Sequence, residues 1–437
     1  MGTTAEKGAY LNETKSQLKT AINNLGGNID NETTFREYVE ELQDVYDNYP
    51  KTSYGEGTSI TLENCNKGKL DVDKLEGDTS QDGEPTPTNP VTISSVTGNQ
   101  EVVVRGKNYF TNTYNGTSKF SVAYQNEVLT IEATQDTTGN QVFYRSKVYG
   151  NLKNGQTYIV SSTNVSGVVE NLKLQLRNKD GTSASLPMTT SVVYDDNYDL
   201  YVVSNVFGSA SSVQVTEGQT AVIKDIMVEE GNSTTTYEPY ITPITKTLAL
   251  GSIELNKIGT YQDYIYKSGD KWYVHKEITK RSILDIIGER TVQYISARNQ
   301  FAIDRDPISD IKNNSSYSNQ NYTPTFMCNS YISKTYASSL ADTGYAVSYL
   351  YVDAVNNRQL RFKNADITSV DTFISSVAND YLVYPIETAT NTEITDTTLI
   401  NQLEALYNAQ SIKGTTIIES NGDLPIIIKA RALKGES

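Results

Sequence analysis

Short runs of alternating apolar and polar residues dominate the chain between residue 100 and about residue 240. Examples are Glu127-Val-Leu-Thr-Ile-Glu-Ala133 and Leu172-Lys-Leu-Gln-Leu-Arg177, in which apolar side chains recur with the period of a half-buried strand. Turn residues such as Lys153-Asn-Gly155 separate these runs. Around eight such strands bury their apolar faces most simply in two packed sheets. The pattern therefore predicts an antiparallel β-sandwich, with a jelly roll as the economical architecture.

The composition agrees with a mainly β protein. The chain has 31 tyrosines among 437 residues and is rich in Thr, Ser and Asn, and β-branched and aromatic residues favour strands. Acidic residues outnumber basic ones by 52 to 37, which gives a formal charge of −15. Because such a surface repels the phosphates of DNA and RNA, no nucleic-acid partner is expected.

Residues 1–50 follow a different, helical pattern. One helix is predicted to end at Gly26-Gly27, and a second to begin at Thr34-Phe-Arg-Glu37, which has the spacing of a capping box. Two short helices bury too little surface to be stable alone. We therefore expect an element for attachment or oligomerisation that contacts another copy, the next domain or another protein. Its apolar stripes contain Leu11, Leu18, Ile22, Leu25, Phe35, Val39 and Leu42.

The remaining segments complete the predicted domain order. Residues 51–99 are predicted to form an extended connector with edge strands, because prolines stiffen the part from 77 to 90. Residues 100–240 form the jelly-roll domain, and residues 241–437 one C-terminal mixed β domain with one helix. That helix, capped by Asp396, should cover a sheet with a leucine face that contains Leu399, Leu403 and Leu406.

Sequence signatures of catalysis and metal binding are missing. His275 is the single histidine, and the chain contains no nucleophile elbow, Walker loop or dinucleotide fingerprint. Cys65 and Cys328 lack the spacing of a zinc site and are interpreted as buried free thiols. We expect no catalytic residues and no cofactor, and we assign no metal site. Asp195-Asp-Asn-Tyr-Asp199 begins like a calcium loop, but Leu200 and Val206 replace its Gly and Glu, so a calcium ion at the edge of the sandwich stays an open alternative. No run approaches the ~20 apolar residues that cross a bilayer, so membrane insertion is not expected either.

Acidic clusters leave one enzymatic alternative open. Asp304 lies close to Asp306, and Asp195, Asp196 and Asp199 form a second group. Paired carboxylates serve in glycosidases, although solvated loops account for both clusters. The stretch 304–323 is interpreted as a long polar loop.

Tyrosine and tryptophan provide candidate sites for a sugar ligand. Sugar rings stack their apolar faces on aromatic rings while their hydroxyl groups bond to amides and carboxylates. Strand tyrosines more often pack in cores or across strands. The candidate glycan-binding residues are Tyr144, Tyr198, Tyr201, Trp272 and Tyr273.

An ordered set of motifs resembles a known group of proteins. The set comprises Pro87-Thr-Asn-Pro-Val-Thr-Ile93, Val104-Arg-Gly-Lys-Asn-Tyr-Phe110, Ile226-Met-Val-Glu-Glu-Gly231, Tyr237-Glu-Pro-Tyr240 and Gly269-Asp-Lys-Trp-Tyr273. With the N-terminal Tyr10-Leu-Asn-Glu-Thr-Lys15, it resembles fibre and baseplate proteins of phages that infect low-GC Gram-positive bacteria. The likeness covers most of the chain, and residues 290–380 match least.

The resemblance implies a function. Proteins of this kind have a helical virion-attachment end and carbohydrate-binding-like β-sandwiches, and they act as homo-oligomers, often trimers. We therefore expect a non-enzymatic structural protein of the virion, assembled in the host cytoplasm, with other virion proteins and host surface carbohydrate as partners. Its location could be a tail fibre, a head fibre or a baseplate. The alternatives are a polysaccharide depolymerase and a purely architectural capsid or neck decoration protein.

Overall fold

The computed structural model is mainly β, as the sequence predicts. It describes residues 4–24, 29–39, 54–65, 70–114, 116–138, 143–167, 171–179, 187–205, 214–288, 290–304, 307–312, 326–334, 344–351, 358–422 and 424–432. The described helices are α1 (Thr4–Asn24), α2 (Ile283–Ile287), α3 (Val370–Ser376) and α4 (Thr397–Tyr407), with a 3-10 turn at Ser296–Arg298.

The strands of the first half are β1 (Tyr54–Gly57), β2 (Ser59–Cys65), β3 (Leu70–Glu76), β4 (Thr79–Ser80), β5 (Ser94–Ser95), β6 (Asn99–Arg105), β7 (Gly116–Thr117), β8 (Phe120–Gln125), β9 (Val128–Ala133), β10 (Thr137–Thr138), β11 (Phe143–Lys147), β12 (Thr157–Ser166), β13 (Lys173–Asn178), β14 (Ser191–Val193), β15 (Tyr198–Asn205) and β16 (Gln214–Val215). Those of the second half are β17 (Thr220–Glu230), β18 (Ile244–Ala249), β19 (Lys257–Ile258), β20 (Tyr261–Gln262), β21 (Tyr264–Ser268), β22 (Lys271–Ser282), β23 (Val292–Ile295), β24 (Gln300–Ile303), β25 (Met327–Cys328), β26 (Ile332–Ser333), β27 (Tyr345–Tyr351), β28 (Arg358–Asn364), β29 (Tyr381–Glu393), β30 (Gly414–Asn421) and β31 (Ile427–Ala432).

A central domain joins strands from both ends of the chain. One sheet has the order β1-β31-β3-β21-β22-β29-β25, and a second has the order β18-β6-β30-β2. Side chains of both sheets, such as Val72, Ile265, Val104 and Ile418, share one hydrophobic core. The C-terminal strands β30 and β31 therefore complete sheets that begin more than three hundred residues earlier.

The segment 51–99 differs from the predicted connector. Strand β3 lies inside the seven-stranded sheet, where it pairs with β31 on one side and with β21 on the other. Leu70, Val72 and Leu75 of β3 are buried in the central core. Strands β1 and β2 do lie at sheet edges. The segment is thus part of the core, because its alternating residues find strand partners far away in the sequence.

Helix α4 has the position that its leucines predict. The Asp396 carboxylate accepts hydrogen bonds from the backbone N–H groups of Thr398 (2.8 Å) and Leu399 (3.2 Å), which caps the helix. Leu399, Leu403 and Leu406 are buried in the central core, as the spacing predicted. The helix covers β18 and β3.

A β-sandwich is inserted between β6 and β18. One of its sheets has the order β14-β12-β17-β9-β8-β7 and another the order β11-β15-β13. Alternating residues of both, such as Leu129, Ile223, Leu174 and Val202, pack in one core. The expected sandwich is present. The sequence placed its start at residue 100, but strand β6 (Asn99–Arg105) belongs to the central domain.

A third unit is inserted between β22 and β29. Its sheet has the order β23-β24-β28-β27-β26 and packs on α2 and α3 through Phe301, Phe362 and Phe373. The predicted region 241–437 therefore contributes to two hydrophobic cores, and it contains α2 and α3 besides the expected helix α4. The long strands β22 and β29 pair along their length and join the two cores.

Helix α1 confirms the first predicted N-terminal helix. Ile22 on α1 packs against Ile29 and Tyr38. Residues 37–39 are helical and are preceded by a turn at Phe35 and Arg36, whereas residues 40–50 lie outside the described residues. None of the described helices is long and apolar enough to cross a membrane.

Candidate functional site

A cavity of about 120 Å³ lies where the chain leaves the central domain for the sandwich and returns from it. Strand β6 and residues 106–109 form the outgoing wall, and residues 240–245 the returning wall. The loop after β11 closes one side. The side chains used below are those of Arg105, Tyr109, Tyr149, Asn151, Tyr240 and Thr245.

Asn108 holds the two crossing segments together. Its side-chain Nδ2 donates to the carbonyl oxygens of Ile226 (3.0 Å) and Glu238 (2.9 Å). Its Oδ1 accepts from the backbone N–H groups of Phe110 (2.8 Å) and Val228 (3.2 Å). All four hydrogen-bonding positions of this buried amide are therefore used, and it forms a fixed part of the wall.

A buried ion pair forms the base of the junction. Arg105 donates from Nε and from a terminal nitrogen to the two carboxylate oxygens of Glu419, at 3.0 and 2.9 Å. Its remaining terminal nitrogen donates to the carbonyl oxygen of Gly106. Lys153 of the sandwich lies 2.9 Å from the same carboxylate. This pair joins β6 to β30, and the lysine ties the sandwich to it.

The charges of the pair keep both groups ionised. Burial alone raises the pKa of the Glu419 carboxyl, but the hydrogen bonds and charges of Arg105 and Lys153 lower it below the ordinary glutamate value. Burial alone lowers the pKa of Arg105, and the bond to Glu419 more than offsets this effect, so that pKa is raised. A buried bidentate pair of this kind has no charge left for a ligand.

Tyr109 has an unpartnered hydroxyl group. The side chain is 3% exposed, and among the described residues its hydroxyl oxygen has no hydrogen-bond partner. Burial raises the pKa of this phenol far above the ordinary tyrosine value, so the group is a neutral donor. One face of the ring lies 4.4 Å from the Arg105 guanidinium carbon, and the ring edge meets Tyr158. The hydroxyl oxygen itself has almost no accessible surface, so Tyr109 contributes its buried ring to the wall and its hydroxyl is not in reach of a ligand.

Four further polar or aromatic side chains line the cavity. Tyr149 is half exposed, Tyr240 is half buried, and Asn151 and Thr245 are exposed. Burial raises the pKa of the Tyr240 phenol, which keeps it protonated. Because the charged Arg105 is paired and the other polar side chains of the wall are neutral, the cavity suits a neutral ligand with hydroxyl groups and an apolar face.

Two glycines shape this wall. Gly150 has φ near +134°, and a Cβ there would come within 3.1 Å of the Tyr109 ring. At Gly106 a Cβ would find Ile241 and Ile412 at 3.8 to 3.9 Å, which is ordinary contact. A methyl group at residue 106 can thus narrow the cavity without a clash.

Two of the predicted glycan-binding residues are core residues instead. Tyr144 is 1% exposed, and its hydroxyl donates to Asn112 at 2.7 Å. Trp272 is 2% exposed, and its indole N–H donates to Glu404 at 2.7 Å. Both face inward because their strands alternate around a core, so neither can contact a glycan at the surface.

The other three predicted residues are half buried and apart from the cavity. Tyr198 packs against the sandwich core, and Tyr201 lies on the outer face of β15. Tyr273 stacks on Tyr266 at 5.6 Å on the outer face of β22. The structure does not bring these residues into one site.

A ladder of rings surrounds Tyr273 on that outer face. Tyr264 stacks on His275 at 4.5 Å, and the Lys74 ammonium lies 4.2 Å from the Tyr264 ring centroid. His275 also shares a hydrogen bond with Asn391. Since these ring faces contact one another, the ladder is cross-strand packing of half-buried side chains.

The acidic clusters and cysteines take part in local structure. Asp199 pairs with Lys147 at 2.8 Å, and Asp195 accepts the backbone and side-chain N–H groups of Asn197. Asp306 lies outside the described residues. Cys65 and Cys328 are buried and free, as the sequence predicted. Among the described residues, no group of His, Cys, Asp and Glu side chains could hold a metal ion.

The predicted attachment residues divide into buried and exposed positions. Ile22 is buried, whereas Leu11 (63%), Leu18 (36%), Phe35 (51%) and Val39 (72%) are exposed. Leu25 and Leu42 lie outside the described residues. The exposed set is an apolar surface on α1 and the segment that follows it.

Comparisons with known protein families and with curated proteins found no match for this chain.

The sequence does not predict a binding role for the cavity residues, although two of the motifs quoted for the resemblance contain several of them. Arg105, Asn108 and Tyr109 belong to the Val104–Phe110 motif, and Tyr240 ends the Tyr237–Tyr240 motif. These motifs lie at the two ends of the sandwich. Their position at the ends of an inserted domain was the signal, since the two ends of an insertion meet in space.

Proposed function

We propose that this chain is a non-enzymatic structural protein of a phage particle, an oligomeric fibre or baseplate component that binds host surface glycan. The resemblance of the ordered motifs supports the virion part of this proposal. The cavity between the central domain and the sandwich supports the glycan part. The observation that carries it is the make-up of the cavity wall, in which the charged Arg105 is paired with Glu419 while neutral polar side chains such as Asn151, Tyr240 and Thr245 line the space.

A single sugar residue suits this cavity. Tyr149 and Tyr240 offer ring surface for the apolar face of a pyranose. Asn151 and Thr245 offer hydrogen-bonding groups for its hydroxyls. Such contacts are weak singly, and copies on one particle multiply their effect by avidity.

The test is binding of purified cell-wall polysaccharide from Gram-positive bacteria, and of neutral monosaccharides, to the full chain. Tyr240→Ala should weaken binding about tenfold through loss of one stacking ring. Gly106→Ala should weaken it as well, since the added methyl narrows the cavity. Tyr201→Ala is the matched control, because it removes a half-buried tyrosine away from the cavity.

The proposed glycan site fails if Tyr240→Ala and wild type bind alike, or if Tyr201→Ala loses as much affinity. Release of reducing ends from the polysaccharide would instead favour a depolymerase. Binding to virus particles without any binding to polysaccharide would favour an architectural decoration protein.

The N-terminal element is proposed to mediate attachment or assembly, most simply as a trimer. The exposed apolar residues on α1 and at residues 35 and 39 support this, because such a surface gains stability when another chain covers it. Light scattering of the full chain should give a mass well above the 48.3 kDa of one chain, most simply three times that mass. Leu11→Asp should lower that mass or release the protein from particles. Asn12→Asp on the same exposed turn should leave both unchanged.

A further inference from the structure

A group of cationic side chains lies on the face of the five-stranded sheet away from its core. In β28, Leu360 and Phe362 point into the core of the third unit. By strand alternation Gln359, Arg361 and Lys363 share the opposite face. Register pairs Arg361 with Ala302 and Lys363 with Gln300 of the neighbouring β24.

Arg361 is nearly buried and forms no ion pair with a carboxylate of the described residues. The residue is only 7% exposed, and its Nε donates a hydrogen bond to Gln359 Oε1 at 2.9 Å. The Gln359 amide nitrogen in turn donates to Asp304. Among the described residues, no carboxylate lies within ion-pair distance of the Arg361 guanidinium.

Two further cations belong to this strand and to the neighbouring 3-10 turn. Lys363 donates from Nζ to the backbone carbonyl oxygen of Arg298 at 3.0 Å, which brings the ammonium group to the 3-10 turn. Burial and then the charge of Arg298 lower the pKa of Arg361, and Asp304 only partly offsets them. The local charge is therefore positive in a chain whose formal charge is −15.

Unpaired buried charges are unusual, since desolvation of an ion is costly unless an opposite charge compensates it. Elsewhere in the described structure, the buried Arg105 meets a carboxylate in bidentate geometry. Arg361 has the same chemistry without such a partner in the described part of the chain. An oxyanion between Arg361 and Arg298 would supply the missing charge and accept several N–H donors.

We infer that Arg361, Arg298 and Lys363 form a binding site for an oxyanion, either a phosphate or a carboxylate group carried by a larger molecule. The site is in a different unit from the glycan cavity and does not depend on it. The overall negative charge does not prevent binding, because charges more than about 10 Å away are largely screened at ordinary ionic strength.

The test is equilibrium dialysis of the full chain against radiolabelled inorganic phosphate and, separately, acetate, at constant ionic strength in a zwitterionic buffer. Wild type should bind at least one of the two anions. Arg361→Gln should weaken binding tenfold or more, as expected for loss of charge-assisted hydrogen bonds. Arg298→Gln, at an exposed position, should weaken it several-fold and covers the case in which Arg361→Gln does not fold.

Arg431→Gln is the matched control, because it makes the same charge change at an exposed arginine paired with Asp71. It should bind like wild type. Preferred binding of phosphate would indicate a phosphate-bearing ligand, and preferred binding of acetate a carboxylated one; either supports the site. The inference is overturned if wild type binds neither anion, or if the Arg361 and Arg298 variants bind as wild type does.

Discussion

Asp380 is a buried carboxyl group that couples stability to pH. One carboxylate oxygen accepts hydrogen bonds from Ser330 and Asn329, and the other has no partner among the described residues. Burial raises the pKa of Asp380 above the ordinary aspartate value, and the two hydrogen bonds only partly oppose this. Its backbone carbonyl also accepts the N–H of Ile283, so the residue lies at the root of the third unit.

The sign of the pH effect follows from that raised pKa. The folded protein holds the proton at pH values where the unfolded chain, with a pKa of about 3.9, has lost it. Asp380 therefore contributes most to stability below the unfolded pKa, and this contribution is lost as pH rises through the folded pKa. Asp380→Asn removes the titration. The stability of the variant relative to wild type, measured by urea unfolding, should increase from pH 4 to pH 7. A difference that is constant over this range would contradict the prediction.

Residue roles were partly readable from the sequence. Alternation predicts that Tyr144 and Trp272 occupy one face of a strand, but it does not say which face meets the core. In the structure both side chains point into a hydrophobic core. Tyr109 lies in an irregular segment between β6 and the sandwich, where no period exists to mark it, so its burial and its free hydroxyl depend on tertiary packing.

At the scale of elements, α4 offers the clearest energetic test. Leu403 is 1% exposed in the central core, whereas Asn401 on the same helix is exposed. Leu403→Ala should lower the free energy of unfolding by about 2–5 kcal/mol, because it removes buried methyl groups and leaves a cavity. Asn401→Ala should change it by less than about 0.5 kcal/mol. Urea denaturation followed by fluorescence of Trp272 measures both, and equal effects would show that the helix does not bury this face.

Elements with a strong local period were predictable, and their partners were not. Helix α4 follows from its cap at Asp396 and its leucine spacing, which lie within a dozen residues. Strand β3 also alternates, but its partner β31 pairs Leu70 with Ala432, far along the chain. Local patterns carry no information on such pairings, so the sequence predicts an extended connector for residues 51–99 and not a strand of the core.

The whole molecule is a central domain that closes between distant parts of the chain and carries two insertions. The sandwich core contains residues from Tyr109 to Val228 and no others from the described chain. The central core, in contrast, takes side chains from β2 and β3 near one end and from β30 and β31 near the other. The sandwich should therefore fold from one continuous segment, whereas the central domain needs segments from both ends of the chain.

Deletion of residues 390–437 should separate these units. It removes α4, β30, β31 and the end of β29 from Thr390 to Glu393, so that β1, β2, β3, β6 and part of β22 lose strand partners. Trp272 loses its hydrogen bond to Glu404 and its contact with Tyr407. We expect the emission of this single tryptophan to shift to the red as the central domain unfolds.

The sandwich is the internal control for that deletion. A fragment of residues 106–243 contains all the strands and core residues of the sandwich, so it should fold alone and unfold cooperatively, visible by far-UV circular dichroism. The truncated chain should retain a protease-resistant core of the same span. Unchanged tryptophan emission in the truncated chain would mean that β21 and β22 are stable without the C-terminal strands. That result would contradict the prediction. The prediction rests on the pairing of β30 and β31 with β1, β2, β3 and β6, which joins distant parts of the chain in both central sheets.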